Sequence, residues 1–179
     1  MAQSIRSTIC QINNSLSPVF PGSKFYGVAV STEKEKKVQP VSDEMPVSYD
    51  DDYSLQAYHK INSIQVSSKP GVGRNDDTIN AFSMSMFIFN NDKKTGLKQD
   101  EVAMIIQSLI AGINISSVSI TPVSFILNTQ AVFAAEYRGN EFRLPESMSL
   151  TQMNYTIEVT FKSGCFDLCP EDFSQCKTN

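Results

Sequence analysis

Between Met153 and Phe161 the chain alternates without a break. Met153, Tyr155, Ile157, Val159 and Phe161 are apolar, and Asn154, Thr156, Glu158 and Thr160 between them are polar. Side chains along a strand point to opposite faces in turn, so a period of two marks a strand with one greasy side. That side must be buried against another layer, and this limits the fold to a sheet with something lying on it. The alternation lies within the stretch from Thr151 to Cys165.

Two segments have the helical period that could supply the cover. In Leu97–Ile113 the residues Leu97, Val102, Ile105, Ile106, Leu109 and Ile113 form one apolar stripe. Asp100 and Glu101 stand in its first turns, where the macrodipole favours acids. Thr95 is placed to cap this helix and Gly112 to stop it. Near the start, Ile5, Ile9, Ile12 and Leu16 recur at spacings of three and four before Pro18 and Pro21-Gly22 end the pattern. Further strands are expected at Phe25–Val30, Ile61–Val66, Thr78–Phe89, Asn114–Ile120 (closed by Thr121-Pro122), Phe125–Leu127 and Gln130–Tyr137. Residues 31–60 change character, with Thr32-EKEKK-Lys37, Pro40, Pro46 and the triplet Asp50-Asp51-Asp52. They read as a long exposed arm or hairpin.

The expected fold is therefore α+β. A mainly antiparallel sheet carries an N-terminal helix and a long central helix on one face, with the arm extending from it. Residues 1–163 form a single domain, and 164–179 are a cysteine-bearing extension. The polar side of the sheet is left to solvent or to another subunit.

A chain of 179 residues can bury roughly 70% of its unfolded surface, so it needs no disulfides for stability. Its net charge of −4 argues against nucleic-acid binding, which needs clustered Lys and Arg. The basic run Lys34-Glu35-Lys36-Lys37 is interrupted by acid and reads as a solvated edge. The N-terminus has no continuous apolar signal core, and no stretch reaches the ~20 apolar residues that span a bilayer. A cytosolic origin and no membrane contact are expected.

No catalytic motif emerges. His59 is the single histidine, and it reads as an ordinary exposed residue beside the polar arm; no G-x-S-x-G elbow accompanies it. A hydrolase would have to combine His59 with Asp51 or Asp52. Lys69-PGVGR-Arg74 has G-x-G spacing without the remainder of a phosphate loop and reads as a turn. Asp50-Asp51-Asp52 lacks the alternating ligands and glycine of a calcium loop. Cys165, Cys169 and Cys176 follow one another at spacings that fit a zinc knuckle poorly, with Cys10 far away in sequence. A metal site, a disulfide and free thiols are all open for them, and the reading favours free thiols in a docking tail. No cofactor or metal is expected.

The order of elements resembles that of tail terminator (tail-completion) proteins and related head–tail connector rings of tailed bacteriophages. The resemblance is one of plan and carries no diagnostic motif. A short helix at Ser4–Leu16 precedes a strand and an extended arm. Strands like Thr78–Phe89 lead into a helix like Leu97–Ala111, and an alternating strand like Asn154–Phe161 closes the chain. It spans roughly residues 2–163, with a longer arm and a cysteine tail as departures. The resemblance implies a non-enzymatic virion structural protein of the neck or tail, assembled in the bacterial cytoplasm. Copies would form a homo-oligomeric ring, sixfold or twelvefold, that caps or joins the tail beside portal, connector or tail proteins. DNA would pass through without being specifically bound. The expected contact residues are Val38, Val41, Val47, Tyr49, Tyr53 and Tyr58 of the arm and Phe166, Leu168 and Phe173 of the tail. The alternative is a monomeric β-rich module that binds a peptide or carbohydrate through Tyr49, Tyr53 and Tyr58.

Overall fold

The computed structural model of the chain describes residues 5–32, 37–40, 50–69, 77–130 and 144–161. The elements in order are α1 (Ile5–Leu16), β1 (Lys24–Thr32), β2 (Lys37–Pro40), β3 (Leu55–Lys69), β4 (Asp77–Asn91), α2 (Asp92–Thr95), α3 (Gln99–Ala111), β5 (Val118–Ile126) and β6 (Met148–Phe161). The class is α+β. The sheet has six strands in the order β2-β1-β3-β4-β6-β5. β1 runs parallel to β3, while β1–β2, β3–β4, β4–β6 and β5–β6 are antiparallel.

The alternation in β6 works as its period requires. Met153, Tyr155, Ile157 and Val159 are buried, and they share a core with Met84, Met86 and Ile88 of β4 and Leu55 and Ala57 of β3. α1 contributes Ile9, Ile12 and Leu16 to the same core, and α3 contributes Val102, Ile106 and Ile110. Removing side chains of this size from water stabilises by about 1.5–3 kcal/mol each, so the face under the two helices dominates the fold.

α3 is shorter at both ends than the stripe from Leu97 to Ile113 suggests. Its N-cap is Lys98, whose backbone N–H donates to Glu101 Oε2 at 2.8 Å. Thr95 does not cap it. Thr95 closes the single turn α2, where its hydroxyl donates to Asn90 Oδ1 at 2.8 Å, and Gly96 (φ 67°) turns the chain in the left-handed region. Gly112 does follow the last turn of α3.

Two strand assignments are corrected. Thr121-Pro122 does not end the strand after α3. β5 runs through it, with an irregularity between Pro122 and Ser124, because a proline is tolerated on an edge strand where its missing N–H faces outward. The arm is also shorter than residues 31–60, because Leu55–Lys60 is the start of β3 and lies inside the sheet. The strand expected at Gln130–Tyr137 falls outside the described residues beyond Gln130.

The second face of the sheet is not left bare along its whole length. Tyr58, Phe87, Phe89, Met148 and Leu150 are buried there, with Tyr26 and Leu144 packed against them. Tyr26 and Tyr58 stack at 4.3 Å between ring centroids, and Phe89 meets Tyr58 edge-on at 6.0 Å. Further along the same face the polar side chains pair among themselves. Ser85 Oγ donates to Asn154 Oδ1 at 2.8 Å and accepts from Asn62 Nδ2 at 2.9 Å and from Gln152 Nε2 at 3.1 Å. Polar side chains in mid-sheet thus satisfy one another, and among the described residues no buried side-chain N or O lacks a partner.

Candidate functional site

His59 is fully buried on the helix-facing side of β3, contrary to the exposed position expected from its polar neighbours. Its Nδ1 lies 2.6 Å from the Tyr155 hydroxyl and its Nε2 lies 2.8 Å from Asn13 Oδ1. The tautomer follows from the partners. Asn13 Nδ2 donates to the Tyr26 carbonyl at 2.9 Å, which leaves the amide oxygen toward the ring. An oxygen there can only accept, so Nε2 carries the proton and Nδ1 accepts from the Tyr155 hydroxyl. The chain of hydrogen bonds runs from β6 through β3 to α1 and on to β1.

Burial pushes the His59 pKa down from 6.5 to about 3 and pushes the Tyr155 phenol up. Both groups stay neutral at ordinary pH. Both imidazole nitrogens are hydrogen-bonded and the ring is fully buried, so it is equipped to brace the core. Asp51 and Asp52, the carboxylates a hydrolase would need, are exposed. They sit in a tight turn where the Asp52 N–H donates to Asp50 Oδ1 at 2.9 Å and Lys94 Nζ donates to the Asp51 carbonyl.

An open groove of about 620 Å³ lies between α1 and α3, lined by residues such as Gln11, Asn14, Ser108, Leu109 and Ile113 and, among the described residues, by no ionisable side chain. Among the described residues, no group of three or more His, Cys, Asp or Glu is arranged to hold a metal ion. Among them, too, no helix is long and apolar enough to cross a membrane.

Of the expected contact residues, Tyr58 is misplaced. It is 2% exposed, stacked beneath Tyr26 and locked in the second core cluster, because β3 begins before it. Tyr53 is half-buried in the turn leading into β3. Val38 belongs to β2, opposite Ser31 of β1. Val41, Val47, Tyr49, Phe166, Leu168 and Phe173 lie outside the described residues, as does the turn at 70–76. Cys10, whose redox state the sequence leaves open, is disulfide-bonded. Cys165, Cys169 and Cys176 lie outside the described residues.

The exposed surface that sequence reasoning passed over is at the two edges of the sheet. β1 pairs with β3 as far as Val28 and His59, and among the described residues no strand pairs with the outer edge of β3 from Ile61 onward. Residues 62–68 are all exposed there, with Ile64 at 56% and Val66 at 70%. The opposite edge is β5, where Val123, Ile126 and the following Leu127 are exposed. The signal was available in the sequence, since Ile61-NSIQVSS-Ser68 has no charge and no proline, the composition of an unguarded edge. No protein-family model matches the chain, and a search of curated proteins found no relative.

Proposed function

We propose that the protein is a structural subunit that assembles with copies of itself into a closed ring, of the kind that caps or joins the tail of a tailed bacteriophage. The observation that carries this reading is the pair of sheet edges that, among the described residues, meet no further strand and carry exposed apolar side chains, in a molecule whose lone histidine is sealed into the core. A subunit with different adhesive edges at its two ends makes head-to-tail contacts, and these close into rings when the rotation between neighbours permits. The acidic net charge of −4 suits a passage through which DNA slides without sticking. The ring would sit in the neck or tail of the particle, against portal, connector or tail proteins. The burial of Tyr58 removes one of the three tyrosines on which a peptide- or sugar-binding module would rely. Electron microscopy of the purified, concentrated protein tests the proposal. Closed rings with a central channel are expected. A field of single 19.9 kDa particles under conditions of high concentration would refute it.

A further inference from the structure

Resting on the ring reading, we propose that neighbouring copies join by strand addition, with β3 residues 63–66 of one copy pairing antiparallel to β5 residues 118–121 of the next. Strand direction permits it. Beyond the last pair between β1 and β3 the ladder among the described residues is the four-stranded section β3-β4-β6-β5, in which each neighbour is antiparallel. With an even number of alternating strands, a copy brought alongside by rotation presents its β3 antiparallel to β5, and the alternation continues.

The register also fits. Ile64 is level with Phe82, then Ile157, then Ile120 across the four strands. Val66 is level with Asn80, then Val159, then Val118. Without any slip, therefore, Ile64 of one copy stands beside Ile120 of the next and Val66 beside Val118, all on the helix-facing side. Val118 and Ile120 already pack against the main core, so the neighbour's two exposed aliphatic side chains extend that core across the joint.

Hydrogen-bond parity agrees with this register. The Thr160 N–H donates to the Ser117 carbonyl at 2.9 Å, so Ser117 faces β6 and, by alternation, Val118 and Ile120 turn their backbone groups outward. Carrying the alternation across β6 and β4 turns the Ile64 and Val66 groups outward from the far edge. Ile64 and Ile120 then form a pair that exchanges both N–H···O bonds. The Val118 N–H is already bonded to the Ile115 carbonyl at 3.1 Å, and Pro122 has none, so the Ile120 N–H is the lone outward donor on β5 between them. An edge with one donor is a poor template for a strand of arbitrary sequence, and here that donor meets its acceptor, the Ile64 carbonyl. The irregularities at Ile61/Ser63 and Pro122/Ser124 end the ladder on both strands at nearly the same level.

Sedimentation of the full chain over a range of concentration tests this. The wild type is expected to associate in a concentration-dependent way. Val66→Lys puts a charge into the joint, and Ile64→Pro removes a donor that β4 does not use. Each should weaken association roughly tenfold or more, while circular dichroism stays that of the wild type. Val123→Lys, on an equally exposed residue beyond Pro122, should change association little. If the oligomer survives Val66→Lys and Ile64→Pro, or if Val123→Lys weakens it equally, the strand-addition joint is wrong and the ring reading stands. A wild type that stays monomeric throughout overturns both.

Discussion

The buried histidine makes a quantitative prediction about acid stability. In the folded protein His59 takes up a proton only near pH 3, whereas the unfolded chain does so near 6.5. Between those values the unfolded state binds more protons, so stability falls as the pH drops. The sign is set by burial. Charging the ring inside the core takes a cation out of water, while charging it in the open chain is unopposed. Above pH 6.5 the contribution is flat. Between pH 6 and 4.5 the wild type should lose about 2 kcal/mol on this account alone, approaching ~1.4 kcal/mol per pH unit. For a domain stable by 5–15 kcal/mol that is a large fraction. The comparison that isolates it is His59→Gln, which cannot titrate and whose amide can still accept from Tyr155. Urea unfolding of both proteins, with the disulfide intact and at fixed ionic strength, gives the difference in stability at each pH. If that difference does not change between pH 7.5 and 4.5, His59 titrates alike in both states, and the sealed core described for it is wrong.

Further outcomes follow from individual contacts. Tyr155→Phe leaves His59 Nδ1 buried without a donor and should lower urea stability by about 1–3 kcal/mol. Gly96→Ala meets no atom within 4 Å but sits at φ 67°, so only backbone strain acts, and a loss of about 1–2 kcal/mol is expected by thermal unfolding. Ile106→Ala removes a fully buried side chain of α3 from the core and should destabilise by about 2–5 kcal/mol. Val66→Lys, on the exposed edge, should leave the stability of the subunit within about 0.5 kcal/mol.

What could be read from the sequence was whatever a single period governs. The strict alternation of β6 and the helical stripe of α3 lead straight to a sheet under helices, because each pattern serves one buried face. β3 was harder, for two physical reasons. Its first half is buried on both faces, Leu55, Ala57 and His59 on one and Gln56 and Tyr58 on the other, so polar residues lie where a half-buried strand would keep them outside. His59 and Gln56 are tolerated there because hydrogen bonds satisfy them, and those partners come from α1, β1, β6 and the backbone of Asp50. The second half is out of phase with the first. Ile61 and Ile64 are three residues apart yet share a face, which is possible only with the extra residue at the irregularity between Ile61 and Ser63. The matching of one edge to the other in the candidate joint was not legible for a related reason, since register is a property of four strands together and not of any one of them.

The strand seated between β4 and β5 is drawn from the far end of the chain. Until the ribosome has delivered Met148–Phe161, one flank of β4 has no hydrogen-bonding neighbour, and the Tyr155 hydroxyl that fixes the histidine ring does not yet exist. Maturation of this molecule therefore cannot proceed strictly from front to back during synthesis. The early segments must wait, loosely collapsed, for a late arrival that closes the sheet in one cooperative step, and chaperone dependence or aggregation of nascent chains should be concentrated in that waiting period.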